Sequence, residues 1–452
     1  MDRVVVYGLG NNFIFSYYEL SQYYDIVAVS DASEEKIGES FYGHVAQKIT
    51  SIPKQLYQYV VITPANHKGI IESLSNQGIE REKIITLQEA YDRIPVEEWT
   101  KGKINNINMN ISYKYAFILY GGMGDLIVAK LWINKLINIY KLSPEKISLF
   151  FSKSNLEDGR FIFNDLVAED RCFIINELAG CEIVDKFSVI FRFCIIPEVL
   201  KFYKEIVESD DGFHVYVKRI FDENIRGYNR GLFTSEKYYK TLTKYLIEKN
   251  VVYHTAYDIF GELGADLDDR ATLSVANINE QEYLKQVGLF GKKYITINTG
   301  LNTEYSKKKN TREWPFVKWN QLAEEIKKKY PEKLVVQVGL KLKEDDDIVA
   351  DVHLNGRTNL EQIAIVLKNA EKHIDYDGGL VHVNHSVGGK SIVLMGPSSE
   401  ENHAYPENIY ISSIVCKACE WTSSDWLSNC PKGYECPKCM TEINVETVLN
   451  FI

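Results

Sequence analysis

The stretch "KHIDYDGGLVHVNHSVGGKSIVLMG", residues 372–396, decides the fold class of this chain. A β-rich run, "KHIDYD", leads through two glycines into a helical run, and a second β-rich run, "SIVLMG", follows. Buried β-runs that alternate with helices are typical of a parallel, doubly wound sheet. Gly378 and Gly379 stand where the helix begins, so their backbone N–H groups can bind a diphosphate without steric hindrance. The stretch therefore predicts an α/β fold with an anion-binding turn.

The chain starts this strand–turn–helix pattern three times. The starts are "MDRVVVYGLG" (1–10), "YAFILYGGMGD" (115–125) and "KKYITINTG" (292–300), and they predict three Rossmann-like units. A polar run, "VEEWTKGKINNINMNISYK" (96–114), is typical of a linker. The predicted domains are a Rossmann-like accessory domain at 1–105, a second domain at 106–290, a third at 291–415 and a cysteine-containing segment at 416–452.

Length and composition limit the classes of protein that are plausible. The chain has 452 residues and a formal net charge of −10, with 45% hydrophobic and 25% charged residues. No apolar run reaches the roughly 18 residues of a membrane span, and the start lacks the order of a signal peptide. An acidic chain lacks the basic face that phosphate neutralisation requires, so we expect no nucleic-acid partner. These features predict a cytoplasmic protein.

The first glycine turn has two interpretations. Gly8 and Gly10 follow a strand, and Asp31 lies at the end of the next strand, where a ribose-binding acid is expected. Phe13 replaces the third glycine of the dinucleotide fingerprint, and this argues against tight binding of NAD(P). The turn either forms a nucleotide site in the N-terminal domain or is structural.

The second glycine turn places Asp125 in the first turn of a helix. An acid there can simply cap the helix, since free N–H groups and the helix dipole stabilise it. It can also act as a general base, held rigidly at the mouth of a sheet where glycines leave room for a substrate hydroxyl.

Five of the eight cysteines fall within residues 415–440. Cys416 and Cys419 form one C-x-x-C pair, and Cys436 and Cys439 form another after 16 intervening residues. Four thiolates at about 2.3 Å make a closed tetrahedral site, whose role is structural. Disulfides are the alternative, but the predicted compartment keeps thiols reduced. We expect zinc first, although four thiolates also suit iron, and Cys430 is left over.

Several motifs in the C-terminal part resemble those of the heptosyltransferases, glycosyltransferase family nine. The resemblance spans about residues 115–445. It rests on the Gly-Asp of "GGMGD", on "REWP" (312–315), on Gly356, Thr358 and Leu360, and on Asp377-Gly378-Gly379 with His382. Gly378 replaces a serine of the family pattern.

The resemblance implies a GT-B fold, in which two Rossmann-like domains pair, here with an added N-terminal domain. It implies an inverting glycosyltransferase, of hexosyl- or heptosyltransferase type, with Asp125 as the catalytic base. A nucleotide-sugar donor would be bound by the following residues: Thr299, Asn302, Lys309, Arg312, Gly339, Thr358, Asp377, Gly378, Gly379 and His382. We expect no divalent metal in the chemistry. For His382, a packed, hydrogen-bonded histidine is the alternative.

The cysteine pattern resembles the four-cysteine iron finger of bacterial autotransporter heptosyltransferases, and this keeps iron open beside zinc. The loop with Arg226, Tyr228 and Arg230 suits a glycan, lipid or protein acceptor, or is a plain solvated loop. The resemblance implies a bacterial-type protein. A homo-oligomer and a place at the inner face of the membrane stay open as options. Two other functions stay open: a non-catalytic nucleotide-sugar-binding scaffold, and an NAD(P)-dependent sugar-modifying enzyme that uses the first glycine turn.

Overall fold

The structure, a computed structural model, describes residues 1–64, 67–105, 114–175, 186–229, 238–275, 277–300, 310–341, 347–423 and 425–452. The chain folds into two compact units. Unit 1 comprises residues 1–120, 135–159 and 166–244, and unit 2 comprises residues 121–134, 160–165 and 245–452. Both units are mixed α/β structures with parallel sheets, as the sequence predicts.

The N-terminal sheet of unit 1 is parallel, with strand order β2-β1-β5-β6. Its strands are β1 (Asp2–Tyr7), β2 (Tyr24–Ser30), β5 (Tyr59–Ile62) and β6 (Ile84–Thr86), and a short hairpin of β3 (Ser40–Phe41) and β4 (His44–Val45) lies between β2 and β5 in sequence. Gly8 has a φ of +96°, and a Cβ there would lie 2.5 Å from the Pro64 ring. Gly8 therefore requires glycine for steric reasons alone, whereas nothing lies within 4 Å of a Cβ position at Gly10.

The central sheet, also in unit 1, has strand order β10-β9-β8-β11-β12-β7. Its strands are β7 (Ile104–Asn105), β8 (Tyr115–Leu119), β9 (Ile147–Phe151), β10 (Cys172–Ile174), β11 (Val189–Phe193) and β12 (Pro197–Tyr203). β11 and β12 pair antiparallel, whereas the other neighbours are parallel. The antiparallel pair is an addition to the predicted parallel pattern.

The predicted linker at 96–114 is wrong over its first part, because Val96–Gly102 is a helix and β7 follows it. Trp99 is fully buried, and its Nε1 donates to Glu19 Oε1 at 3.1 Å. Lys103 is buried as well and forms ion pairs of 3.3 Å with Glu19 and Glu198. This run is polar on average, yet it buries the Trp99 ring and the paired charge of Lys103. Composition alone does not predict this burial.

The C-terminal sheet of unit 2 is fully parallel, with strand order β15-β14-β13-β16-β17-β18. Its strands are β13 (Lys293–Asn298), β14 (Lys333–Val338), β15 (Val352–His353), β16 (Lys372–Tyr376), β17 (Ser391–Met395) and β18 (Ile409–Ser412). The order reverses between β13 and β16, which is the point where ligands bind in open parallel sheets. The strands predicted from residues 292–396 are confirmed.

Helices connect these strands, in chain order Asn11–Tyr23, Lys68–Asn76, Leu87–Asp92, Val96–Gly102, Met123–Tyr140, Leu156–Phe163, Lys204–Glu208, Gly212–Asn229, Tyr238–Lys249, Glu280–Gln286, Phe316–Lys329, Leu360–Lys368, Gly379–Ser386, Glu400–His403, Lys438–Thr441 and Val445–Leu449. Within the described ranges, none of the helices combines the length and the apolar character that crossing a membrane needs.

The C-terminal segment packs into the core of unit 2. Cys416, Cys439 and Met440 belong to the same buried cluster as Trp314 and Trp319. The Trp314 Nε1 donates to the carbonyl oxygen of Ile443 at 3.1 Å. On the helix Phe316–Lys329, Lys318 Nζ also donates to the Ile443 oxygen at 2.7 Å. Residues 416–452 are therefore fastened to the core of unit 2 by apolar burial and by hydrogen bonds.

Candidate active site

The site lies in unit 2, at the switch between β13 and β16. Thr299 follows β13, and its hydroxyl accepts a hydrogen bond from Gln337 Nε2 at 2.9 Å. Gly339 has a φ of +97°, and a Cβ there would collide with the side-chain oxygen of Asn298. Thr358 donates through its hydroxyl to the Leu354 oxygen at 3.3 Å. These predicted donor residues thus shape the carboxyl ends of β13 and β14.

Arg312 lies beside the glycine turn that the sequence singles out. Its Nη1 donates to the Asp377 carbonyl oxygen at 2.7 Å and lies 3.8 Å from the Asp377 carboxylate. Its guanidinium carbon is 5.9 Å from the centre of the Tyr376 ring. Its Nε is buried and has no hydrogen-bond partner among the described residues. Arg312 is therefore held at the turn by Nη1, and its Nε–H group can still donate a hydrogen bond to a ligand.

The turn itself opens a helix. Gly378 is the N-cap of Gly379–Ser386, with no side-chain cap. A Cβ on Gly379 would lie 3.0 Å from the Cβ of Met123, so the turn packs closely against the helix that carries Asp125. The free N–H groups of this helix start are the groups that bind anions.

Asp125 is half-buried at the first turn of the helix Met123–Tyr140. Its Oδ2 accepts from the Gly122 N–H at 2.6 Å, and its Oδ1 accepts from the Tyr253 hydroxyl. Gly121 has a φ of +115°, and a Cβ there would overlap the Asp125 carboxylate. Burial raises the pKa of Asp125 to about 6, against the opposing effect of the two donors and of His403. A carboxylate with this pKa can act as a base near neutral pH.

His382 packs directly against this helix start. A Cβ on Gly124 would lie 2.6 Å from His382 Nε2, and His382 Nδ1 is 2.8 Å from the Tyr405 hydroxyl. Burial lowers the pKa of His382 to about 4, so the ring is neutral at physiological pH. These contacts fit the alternative interpretation of His382, a packed and hydrogen-bonded histidine.

His403 differs from His254 and His382 in that its surroundings raise its pKa. Its Nε2 is 2.8 Å from Glu420 Oε2, and its ring centre is 4.8 Å from that of Tyr253. Burial disfavours the charged ring, but the carboxylates of Glu420 and Asp377 raise the pKa of His403 to about 9.

Sequence reasoning missed Tyr253, His254, His403, Tyr405 and Glu420. Tyr405 lies stacked between two histidine rings, with His254 at 4.1 Å and His385 at 3.7 Å between ring centres. The only signal was local: a Tyr-His pair at 253–254 and the "NHAYPE" run at 402–407. Neither matches a spaced motif, and only the fold brings the two runs together.

Other predicted residues lie elsewhere. Asn302, Lys309 and Arg230 are outside the described residues, as is the side chain of Tyr228. Arg226 lies in unit 1 on the helix Gly212–Asn229, exposed and paired with Glu223 at 3.0 Å.

The turn with Gly8 and Gly10 is closed by Asp31. Its Oδ2 accepts from the Leu9 N–H at 2.6 Å and pairs with Lys36 at 3.0 Å, while Oδ1 accepts from the Ser33 N–H at 2.9 Å. Both carboxylate oxygens thus serve the domain's own loops, which favours the structural interpretation of this turn.

The predicted metal knot is not confirmed. Across the described residues, no group of three or more His, Cys, Asp or Glu side chains is arranged to hold a metal ion. Cys416, Cys419 and Cys439 are buried free thiols, whereas Cys436 is exposed. Burial, with the neighbouring Cys416, Cys419 and Cys430, raises the pKa of Cys439 to about 12. Three predicted ligands are therefore neighbours, and the leftover Cys430 lies near them as well.

Comparison with known families gives a match in this part of the chain. Residues 216–422 match the model for Glycosyltransferase family 9 (heptosyltransferase). The chain is a glycosyltransferase. The matched range includes Arg312, the 377–379 turn and His403, whereas Asp125 lies before it. None of the curated proteins searched matches the sequence.

Similar solved structures include three transferases. The ADP-heptose lps heptosyltransferase II of E. coli is 16% identical, with 75% of this chain and 96% of that chain covered and a TM-score of 0.46. A glycosyl transferase family 9 protein of Veillonella parvula is 14% identical, with 76% and 97% covered and a TM-score of 0.48. The iron-containing dodecameric glycosyltransferase TibC of enterotoxigenic E. coli is 12% identical, with 75% and 77% covered and a TM-score of 0.44.

Proposed function

We propose that this chain is an inverting glycosyltransferase with a GT-B arrangement, which moves a sugar from a nucleotide-sugar donor to a hydroxyl of a bacterial glycan, lipid or protein. One observation carries the proposal. Within unit 2, the helix start that holds the half-buried Asp125 carboxylate packs against the glycine turn beside Arg312. This supports a base and an anion site next to each other, as a transfer from a diphosphate leaving group requires.

In the proposed reaction, Asp125 takes the proton of the acceptor hydroxyl. The acceptor oxygen then attacks the anomeric carbon from the face opposite the leaving group, so the configuration inverts. The bond from that carbon to the phosphate oxygen breaks, and the diphosphate leaves with the electron pair. Arg312 and the N–H groups of the 377–379 turn stabilise the charge that develops on it.

Tyr253 has a positioning role in this scheme. Its hydroxyl donates to one Asp125 oxygen while the Gly122 N–H holds the other, so the carboxylate cannot rotate freely. The donor to Oδ1 must give way, or share that oxygen, when the acceptor hydroxyl arrives. Protein groups supply every role in the proposed reaction, without a divalent cation.

The proposal for the donor site is tested by calorimetry with ADP, UDP, GDP and CDP. We expect one of them to bind the wild type well and to bind the Arg312→Ala variant at least tenfold more weakly, because a charge-assisted contact to phosphate is lost. Lys327→Ala is the control, since that lysine forms an ion pair with Asp351 at 2.7 Å. If none of the four nucleotides binds the wild type, the chain does not use these donors.

The scaffold alternative predicts the same binding without turnover, so donor cleavage separates it from the enzyme. The NAD(P)-dependent alternative is weakened by the closed Asp31 turn. For the acceptor, we propose that Arg226 with Tyr228 and Arg230 contributes to binding. We further propose a homo-oligomer at the inner face of the bacterial membrane.

We also propose a structural zinc or iron ion on Cys416, Cys419, Cys436 and Cys439. Three of these thiols are buried next to one another, which supports the proposal, and the exposed Cys436 would have to turn inward. A metal here would fasten the segment that also supplies Glu420 to the site.

A further inference from the structure

His403 has one ring nitrogen bound and the other free. Nε2 faces Glu420 Oε2 at 2.8 Å, and the other Glu420 oxygen accepts from the Asn402 side chain and the Ser399 N–H, both at 3.2 Å. The glutamate is therefore fixed from three sides. Nδ1 of His403 has no hydrogen-bond partner in the part of the chain that the structure describes.

The charges around His403 favour its protonated form. Glu420 is its direct partner and Asp377 is the next negative neighbour, whereas Arg312 and burial oppose the charge. Asp125 also feels the positive ring, because His403 lowers the pKa of that carboxyl. The rings of His254 and His382 are buried and kept neutral. Of these three histidines, His403 is thus the one whose surroundings favour the imidazolium form at neutral pH.

His403 lies near the proposed base and interacts with the glycine turn. The centre of the Tyr253 ring is 4.8 Å from that of the His403 ring, and Tyr253 carries the hydroxyl that donates to Asp125. The positive His403 ring also interacts electrostatically with Asp377, whose carbonyl oxygen accepts from Arg312. Because the buried Glu420 carboxylate fixes the charged His403 ring, its Nδ1–H group can donate to an anion without reorganisation.

We propose that His403 is a second cation for the departing diphosphate, to which its Nδ1–H donates a hydrogen bond. This inference rests on the proposed function. The proton stays on His403 throughout: the acceptor proton goes to Asp125, the bond between the anomeric carbon and the phosphate oxygen breaks, and the electron pair leaves with the diphosphate. Glu420 is the positioning residue that keeps His403 charged and oriented.

The test measures binding of inorganic pyrophosphate and of the four nucleoside diphosphates between pH 6 and 10. The variants are His403→Gln, Glu420→Gln and, as a matched control, Glu401→Gln. Glu401 is an exposed acid nearby that binds Ser399 and not His403. Arg312→Ala reports on the donor site independently.

We expect pyrophosphate to bind the wild type with an affinity that falls as pH rises through about 9, since His403 then loses its proton. His403→Gln weakens binding about tenfold at pH 7.5 and removes this pH step. Glu420→Gln moves the step to lower pH, because a neutral partner no longer favours the charged ring. Glu401→Gln binds like the wild type.

Two results overturn the inference in different ways. If His403→Gln binds pyrophosphate like the wild type and keeps the pH step, while Arg312→Ala loses binding, His403 is not a diphosphate ligand and the proposed function stands. If the wild type binds neither pyrophosphate nor any of the nucleotides, the proposed function fails and this inference fails with it. A thermal unfolding curve close to that of the wild type shows that His403→Gln is folded.

Discussion

Asp125 combines burial, which favours the protonated acid, with two hydrogen-bond donors, which favour the carboxylate. Burial dominates and raises its pKa to about 6. A base works only when it is deprotonated, so this raised pKa places the acid limit of activity close to neutral pH rather than near pH 4. Tyr253 is the donor that can be removed without changing the backbone.

The first prediction concerns this pH limit. We expect kcat/KM for transfer to decline as pH falls below about 6, because Asp125 becomes protonated. Tyr253→Phe removes a donor that lowers the pKa, so the limit moves upward by about one pH unit. Tyr330→Phe, at the end of the helix Phe316–Lys329, is the control and keeps the wild-type profile. An unchanged acid limit in Tyr253→Phe would show that another group controls it.

At the residue scale, the sequence was informative where chemistry follows a spaced motif. Arg312 and Asp377 were predicted to serve one donor site, and in the structure Arg312 Nη1 lies 2.7 Å from the Asp377 carbonyl oxygen. Tyr253 and His403 could not be predicted, because a Tyr and a His in loops have no spacing rule. Their place depends on how the run after β17 folds onto the residues that follow the helix Tyr238–Lys249.

Elements position the site through close contacts that only glycine permits. Gly124 lies in the helix Met123–Tyr140, at the place where His382 approaches it. A larger residue would push this helix start away from Gly379–Ser386 and separate the base from the turn. Gly124 of "YGGMGD" thus serves packing between two helix starts.

The second prediction follows from this contact. Gly124→Ala adds a Cβ 2.6 Å from the His382 ring, so we expect lower thermal stability and at least tenfold lower transfer activity. Gly69→Ala is the matched control, because Gly69 is also helical and nothing lies within 4 Å of its Cβ position. The control should be as stable as the wild type or more so. Wild-type activity in Gly124→Ala would mean that the two helix starts tolerate separation.

At the element scale, the strands and helices of 292–396 were predictable because each buried run is continuous and ends at glycines. Two features were not. The helix Val96–Gly102 was taken for a linker, since its polar residues outnumber the one buried tryptophan. The antiparallel pairing of β11 and β12 follows from a short return of the chain, and no residue pattern distinguishes it from a parallel pair.

The whole molecule consists of two compact units whose boundaries cut through the chain order. Residues 121–134, early in the sequence, belong to unit 2 together with 245–452. Restarts of a strand–helix pattern in the sequence mark where sheets begin. They do not show that a segment such as 121–134 belongs to a different unit from the residues around it. Such exchanges depend on contacts between residues far apart in sequence, so Asp125 joins the residues of the proposed donor site only in the folded protein.

The third prediction concerns the cysteine segment as part of the whole fold. We expect the purified protein to contain about one zinc or iron ion, measured by elemental analysis, since four thiolates fill one tetrahedral site. Cys416→Ser and Cys439→Ser lose the metal and unfold at lower temperature, whereas Cys194→Ser, in unit 1, keeps it. Comparing Cys430→Ser with Cys436→Ser identifies the fourth ligand. A metal-free wild type would contradict the proposed site.

The most direct test of the central claim is nucleoside diphosphate release from a panel of ADP-, UDP-, GDP- and CDP-sugars, with wild type and Asp125→Asn compared. Asparagine has the size of aspartate but cannot accept the proton. We predict that the wild type cleaves one of these donors and that Asp125→Asn does so roughly a hundredfold more slowly, with nucleoside diphosphate affinity unchanged. Full activity in Asp125→Asn would contradict the role of Asp125 as the base.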